Sequence, residues 1–391
     1  TIPARYVDRK DGEVIGEVTV DRTPVFIDAS IQNFGGNPVG RWGGIARVRV
    51  NGITGLGDET TLGTYATHDF DEQRVLQAAH EFRIGGDGLT LGTNATYAWT
   101  RPTLPGNLDL RSETLVWSSW ARYPLALSQT RAIWAGGGFD WIDQDIRVAG
   151  VPINRDRLRI AFAKVEANWI DPDALTGRSD YSPAEPRWSA NLLVEARQGI
   201  AGLGASPRCI DNPVTCFGPG GVPTTRDEGD PAATVFRATG EFIWRPAPLF
   251  SIALMPRVQW ASGPLLAFEE YSAGNFTVGR GYDPGTVSGD SAVGGGIELR
   301  LGSLIPPNPR DIAIQPFAFF DAAWIWNEGS AFDGLGAEEV SSAGAGARIA
   351  IGQTARLDLY AARPLRRTLF ETRRGDLRFL VSLTTQFGLG R

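Results

Sequence analysis

Arg280 is the one cation of the segment Phe276-Thr-Val-Gly-Arg-Gly-Tyr-Asp-Pro-Gly285, and Tyr282 follows two residues later. A guanidinium offers a planar fork of N–H donors that suits a carboxylate, and a phenol adds one donor and one acceptor. Three glycines and a proline in these ten residues forbid a regular helix or a central strand. Such a segment is either a solvated loop or a device that docks a cation onto an acidic surface. The elements around it decide which.

Other constellations are sparse. Cys209 and Cys216 are the two cysteines, and both sit in the Gly/Pro-rich stretch Arg208-Cys-Ile-Asp-Asn-Pro-Val-Thr-Cys-Phe217. That placement suggests a local disulfide in an oxidising compartment. His68 and His80 are the two histidines, and neither lies near a cysteine, so no metal site is expected. A Ser/His/Asp set cannot be assembled, and no enzyme activity or cofactor is expected. Gly279-Arg-Gly-Tyr-Asp-Pro-Gly285 is not a dinucleotide fingerprint, because its third glycine is misplaced and no crossover helix follows. The acidic pairs Glu269-Glu270 and Glu338-Glu339 fall in loop-like stretches and are read as solvated.

The 391 residues are 42% hydrophobic and 21% charged, with 48 Gly and 25 Pro, and carry a formal charge of −6. Short apolar runs punctuated by turn residues point to an all-β chain. No basic stripe with interleaved aromatics is present, which argues against nucleic acid as a partner. No apolar run reaches the 18 or more residues of a membrane helix. Thr1 begins inside folded-looking sequence, so an export signal is expected to have been removed or not included.

Period-2 alternation is the dominant pattern. Over 312–326 the even positions are Ile312, Ile314, Pro316, Ala318, Phe320, Ala322, Trp324 and Trp326, whereas the odd positions include Gln315 and Asp321. The same alternation runs through 250–260, 343–351, 355–361 and 377–387. Successive strand residues face opposite ways. The polar faces carry Arg, Asp and Glu at strand centres, as a wet lumen requires. Trp and Phe recur at the ends of the apolar faces, as aromatic girdles do. The chain is therefore read as a transmembrane antiparallel β-barrel of about 16 strands. Strands are expected at 25–34, 41–51, 56–67, 73–83, 88–99, 112–122, 129–145, 154–169, 186–199, 233–246, 249–261, 292–302, 312–326, 339–352, 354–363 and 376–388. The phase of 154–169 is lost near Lys164 and Glu166, which suggests a bulge or an extension beyond the bilayer. Long connections are expected at 100–111, 200–232, 263–291, 327–338 and 364–375. The long connection 170–185 falls on the side of the short turns. Residues 11–21 read as a strand ahead of the barrel, so 1–22 and 23–391 are separate units.

The loop Val278-Gly-Arg-Gly-Tyr-Asp-Pro-Gly285, the stretch Gly294-Gly-Gly-Ile-Glu-Leu-Arg300, the strand Phe317-Ala-Phe-Phe-Asp-Ala-Ala323 and a C-terminal strand ending near Phe387 carry a family likeness. Ile31-Gln-Asn-Phe-Gly-Gly36 and Gly55-Leu-Gly-Asp58 add to it. The chain resembles the outer-membrane transporters of two-partner secretion, of the haemolysin-activator and filamentous-haemagglutinin transporter type, within the superfamily of outer-membrane assembly and translocation barrels. The resemblance implies a loop between strands 11 and 12 that folds into the barrel, with Val278, Arg280, Gly281 and Tyr282 as its motif. It gives Arg280 an acidic partner on the inner wall, Asp321 first and Glu298 second. Both acids lie on polar strand faces. It implies a pore passing an unfolded exported protein from periplasm to cell surface, gated by loop 263–291, in the outer membrane of a Gram-negative bacterium. Outer-membrane lipid and lipopolysaccharide would surround a monomeric barrel with both termini periplasmic. Residues 1–22 would be the remnant of a periplasmic polypeptide-transport-associated domain, or a linker. Two other functions share such a scaffold: an assembly factor inserting other proteins into the outer membrane, and a passive porin-like barrel. A weak seam between 25–34 and 376–388 would favour the inserter, tested by cross-linking Ser30 to Ser382.

Overall fold

The computed structural model describes residues 4–10, 13–18, 23–104, 106, 108–177, 180–329, 336–368 and 375–389. A two-stranded sheet comes first, β1 (Ala4–Lys10) with β2 (Glu13–Val18). Parts of the strand read at 11–21 and of the connections 327–338 and 364–375 lie outside the described residues.

Sixteen strands then close into one antiparallel barrel. They are β3 (Val25–Gln32), β4 (Gly43–Asn51), β5 (Glu59–Thr67), β6 (Gln73–Ile84), β7 (Leu89–Thr100), β8 (Leu110–Leu127), β9 (Arg131–Val148), β10 (Val151–Ile170), β11 (Trp188–Gly199), β12 (Thr234–Ala247), β13 (Phe250–Ala261), β16 (Ser291–Leu301), β17 (Ile312–Trp326), β18 (Glu338–Ile351), β19 (Ala355–Pro364) and β20 (Arg378–Leu389). Each coincides with an expected strand. The connection between β13 and β16 holds a small hairpin, β14 (Tyr271–Ala273) with β15 (Val287–Gly289).

Last strand meets first: β20 pairs with β3 from Ser382↔Gln32 to Leu389↔Val25. Val25 and Leu389 therefore meet at one rim, called here the near rim; the other is the far rim. The seam is as long as the β3–β4 ladder beside it, which also runs the whole of β3. Ser30 lies opposite Thr384, not Ser382, so a cross-link across the seam belongs at Ser30 and Thr384.

The outer wall is apolar along β16 and β17. Val293, Ile297 and Leu299 are exposed on β16, and Ile312, Ile314, Phe320 and Trp324 on β17. β17 alternates exposed and buried almost without a break, with Gln315, Phe317, Phe319 and Asp321 turned inward. The lumen is thus not uniformly polar: Phe317 and Phe319 lie inside because the loop packs there.

The wall is uneven in height. β8, β9 and β10 run 18, 18 and 20 residues, whereas a tilted strand needs about 9–11 to span the bilayer. β9 turns into β10 through Ala149 (φ 49°) and Gly150 (φ 82°), the two positive-φ positions of a tight hairpin turn. The 146–153 gap left between expected strands is therefore hairpin. Of the two readings of the lost phase near Lys164 and Glu166, the bulge does not occur, whereas the 20 residues of β10 agree with an extension beyond the bilayer. The ladder runs unbroken there, and Lys164 binds Glu166 at 2.6 Å on one face; the register shift falls between Pro152 and Asn154. The reading slipped because Leu158, Ile160 and Phe162, although apolar, face inward.

The upper part of β10 has no β11 partner beyond Gly199. The 200–233 connection covers that free edge, with Ser206 N–H donating to Arg157 O (2.9 Å) and Arg155 N–H to Pro223 O (2.8 Å). A covered edge cannot recruit another strand. Cys209 and Cys216 are disulfide-bonded in this connection, Cys216 within the short helix α1 (Pro213–Phe217) and Cys209 ahead of it. The 171–187 connection lies at the near rim, as the strand count requires, and is tied down by Tyr181 Oη donating to Arg245 O (3.0 Å).

Candidate functional site

The 262–290 connection leaves the far rim and turns into the lumen. Its apolar side chains Tyr271, Ala273, Val278, Tyr282 and Val287 form one cluster with the wall residues Ala292, Ala323, Ile325 and Val340. Burial of that cluster holds the loop inside, since apolar surface removed from water contributes roughly 25 cal/mol per Å2.

At the tip, Arg280 spans two neighbouring strands. Nε and Nη2 donate to the two oxygens of Asp321 on β17 at 2.9 and 2.8 Å, and Nη1 donates to Glu298 on β16 at 2.5 Å. The Arg280 backbone N–H adds a bond to Asp321 at 3.2 Å. The guanidinium lies 3.7 Å from the Phe319 ring centre. Glu298 also receives Arg300 Nε at 2.7 Å and Arg348 Nη2 at 2.9 Å. The acids are 1% and 4% exposed and Arg280 14%, so the network is effectively buried. The Phe317 and Phe319 rings form its floor, with Arg348 4.1 Å from the Phe317 ring.

Tyr282 and Gly281 fasten the tip sideways. The single Tyr282 O–H lies within donating distance of both Ser341 O (3.0 Å) and Arg366 O (2.9 Å), and its oxygen accepts from Arg366 N–H (3.2 Å). A Cβ at Gly281 would sit 2.6 Å from Pro364 N and 2.8 Å from Arg363 C. Only a glycine allows the loop backbone to approach β19 so closely. Asp283 reaches the seam side, 2.9 Å from Arg378 of β20 and 3.6 Å from Arg41. Asn275 and Phe276 meet Phe34, just beyond β3. Val278 is buried in the loop's own cluster.

A second network, at the loop's base, was not anticipated. Glu269 is buried and receives Arg197 Nε and Nη2, both at 2.9 Å, and Arg237 Nη2 at 3.2 Å. Asp290 is fully buried; it binds both oxygens to Arg226 Nη1 at 2.8 Å and accepts from the N–H groups of Leu265 and Glu328. Gln259 donates to the carbonyls of Glu269 and Asp290, at 3.0 Å each, which joins the two halves. The reading of Glu269-Glu270 as solvated is therefore wrong. Glu270 lies between Ser288 (2.6 Å) and Arg226 (3.7 Å), and burial pushes its carboxyl above the usual range. Glu338 and Glu339 open β18 rather than lying in a loop; Glu339 pairs with Arg366 at 3.1 Å. The missed signal was strand phase, which puts Arg197 and Arg237 on the inner wall; Glu195 of the strand that carries Arg197 and Asp140 of β9 reach Arg197 at 3.3 and 2.9 Å, and the loop's Glu269 is the acid that joins both arginines.

The profile of the haemolysin secretion/activation proteins ShlB/FhaC/HecB matches residues 15–349. No curated protein matches the chain. Among solved structures it is similar to CdiB from Escherichia coli (TM-score 0.78, 15% identity, 99% of this chain and 67% of that one). It is also similar to CdiB from Acinetobacter baumannii (0.68, 14%, 99% and 65%) and to BamA from Haemophilus ducreyi lacking POTRA domains 1–3 (0.60, 13%, 99% and 75%). Identities this low speak for the fold alone. The chain spans about two thirds of the length of the CdiB chains.

Proposed function

The chain belongs to the haemolysin secretion/activation protein family, an outer-membrane β-barrel of a two-partner secretion transporter, and from that premise we propose that it forms the pore through which an unfolded polypeptide crosses the outer membrane. The near rim faces the periplasm with both termini, and the substrate leaves at the far rim. Residues 1–22 are what precedes the barrel on the periplasmic side, a linker or the end of a polypeptide-transport-associated domain. The 262–290 loop is the gate. A barrel of sixteen strands encloses an aqueous channel, and a polypeptide cannot share it with the docked loop. The observation that carries this reading is Arg280 bridging Asp321 and Glu298 across β16 and β17. That bridge is the central one of several contacts between the loop tip and the wall, and its release would free the guanidinium from both acids together.

Losing one member of a buried ion pair costs about 3–5 kcal/mol. Arg280→Ala should therefore raise the open-channel conductance in planar bilayers and reduce secretion of the cognate protein from cells. Unchanged conductance and secretion would overturn the gate.

The BamA likeness keeps an inserter as the second reading. Cysteines at Ser30 and Thr384, which face each other across the seam, separate the two. Locking the seam should leave a translocating pore active and stop an inserter.

A further inference from the structure

Charge on the outer face of a barrel is costly in hydrocarbon, about 2–4 kcal/mol for Arg at the midplane, and nearly free at the interface. The outward faces of β12, β13, β16 and β17 carry none. β8, β9 and β10 differ. Trp117 faces Trp141 across β8–β9 as the last aromatic row. Towards the far rim the outward rows become Leu115–Asp143–Arg157, then Glu113–Asp145–Arg155, then Arg111 opposite Arg147.

Most of these charges are matched. Asp145 binds Arg155 at 2.7 Å, and Asp143 lies 2.9 Å from Arg159, itself stacked 3.4 Å from the Trp141 ring. Asp109 bridges Arg101 and Arg111 at 2.8 and 2.9 Å. Arg147 and Arg157 are exposed, and neither guanidinium makes an ion pair or hydrogen bond among the described residues. Arg147 also faces Arg111 directly, although like charges opposite each other are destabilising. An anion between and beside them removes that penalty. Arg147 lies four residues along β9 from Asp143, the partner position of Arg157, which is roughly 13 Å at the strand rise.

We propose that the outward face of β8–β10 at the far rim binds a phosphorylated lipid whose headgroup carries two separated phosphates, one at Arg147 with Arg111 and one at Arg157. Its acyl chains lie against Leu115, Trp117 and Trp141. The interleaved acids disfavour an extended polyanion and suit discrete phosphates. Continuity with the lipid-facing wall selects a lipid over a free ion. This site does not depend on whether the lumenal loop gates.

The test uses the intact chain purified in detergent and titrated separately with bisphosphorylated lipid A, monophosphorylated lipid A, phosphatidylcholine and inorganic phosphate, with retained ligand counted by native mass spectrometry. Bisphosphorylated lipid A should bind best. Arg147→Gln with Arg157→Gln should weaken it about tenfold or more, since two charge-assisted contacts are lost. Arg310→Gln, on the exposed near-rim connection, should leave it unchanged. Heat-modified gel mobility establishes that each variant is folded. Equal retention by wild type and double variant overturns the site, as does equal retention of phosphatidylcholine. Displacement of lipid A by equimolar inorganic phosphate would mean a free-ion site and overturns the lipid assignment.

Discussion

The tip and the base of the lumenal loop are both held by buried ion networks, but with opposite polarity. At the tip the loop supplies the cation, Arg280, and the wall supplies the acids, Asp321 and Glu298. At the base the loop supplies the acids, Glu269 and Asp290. The cations come from the wall strands β11 and β12 (Arg197, Arg237) and from the 200–233 connection (Arg226). Such an arrangement fixes the direction of insertion. A loop docked in reverse sets cation against cation and acid against acid, and buried like charges repel strongly. The networks also differ in redundancy. Glu269 has two arginines and Asp290 has Arg226 with two backbone donors. Asp321 has Arg280 as its one cation among the described residues, whereas Glu298 keeps Arg300 and Arg348 whatever the loop does. Under the proposed gating, release would fall at the tip and the base would stay anchored.

The largest expected effect tests that division. Asp290→Ala removes a fully buried carboxylate that ties three segments together, and should cost about 3–5 kcal/mol in urea unfolding of the refolded barrel. Asp321→Ala breaks a network of similar strength, yet should appear mainly as raised conductance, with the melting of the barrel little changed. If both variants lose stability alike and neither alters conductance, the contrast between a fixed base and a releasable tip is gone.

The tip was legible in the sequence and the base was not, for a physical reason. The tip motif is contiguous: Gly281 and Tyr282 adjoin Arg280, and the wall acids were given by strand phase and family likeness. Alternation revealed all sixteen strands because one face of each meets lipid. The base is assembled from Arg197, Arg226, Arg237, Gln259, Glu269 and Asp290, with partners up to 72 residues apart. No local pattern announces such a cluster, and Glu269-Glu270 in isolation looks like any solvated acidic pair. The same limit produced the error in β10, where Leu158 and Ile160 turn inward to meet Leu266 of the loop. Strand phase reports which side a residue faces; it does not report what fills the lumen on that side.

A smaller effect sharpens the tip alone. Gly281→Ala places a Cβ 2.6 Å from the Pro364 nitrogen, and backbone cannot yield as a flexible side chain does. Overpacking of this kind costs about 1–3 kcal/mol. The variant should fold, keep the base network, and expose the tip to added protease faster than wild type. Cleavage at the wild-type rate would mean that close contact with β19 contributes nothing to docking.

The smallest effect separates the two ends by pH. Burial, reinforced by the Asp290 carboxylate, holds Glu270 above its ordinary value of 4.5 and outweighs the Ser288 hydroxyl and Arg226, which pull the other way. The folded loop therefore keeps the Glu270 proton more tightly than the unfolded chain. The sign follows by linkage: this contribution is fully present below about pH 4.5 and is lost as pH rises through the raised folded value. Glu270→Gln carries no such proton and should flatten the pH dependence of barrel stability across that window, with tip-dependent conductance following the same pH course as wild type. A conductance profile that shifted with Glu270→Gln would show that base and tip release together, and the loop would then be one latch rather than a hinge and a catch.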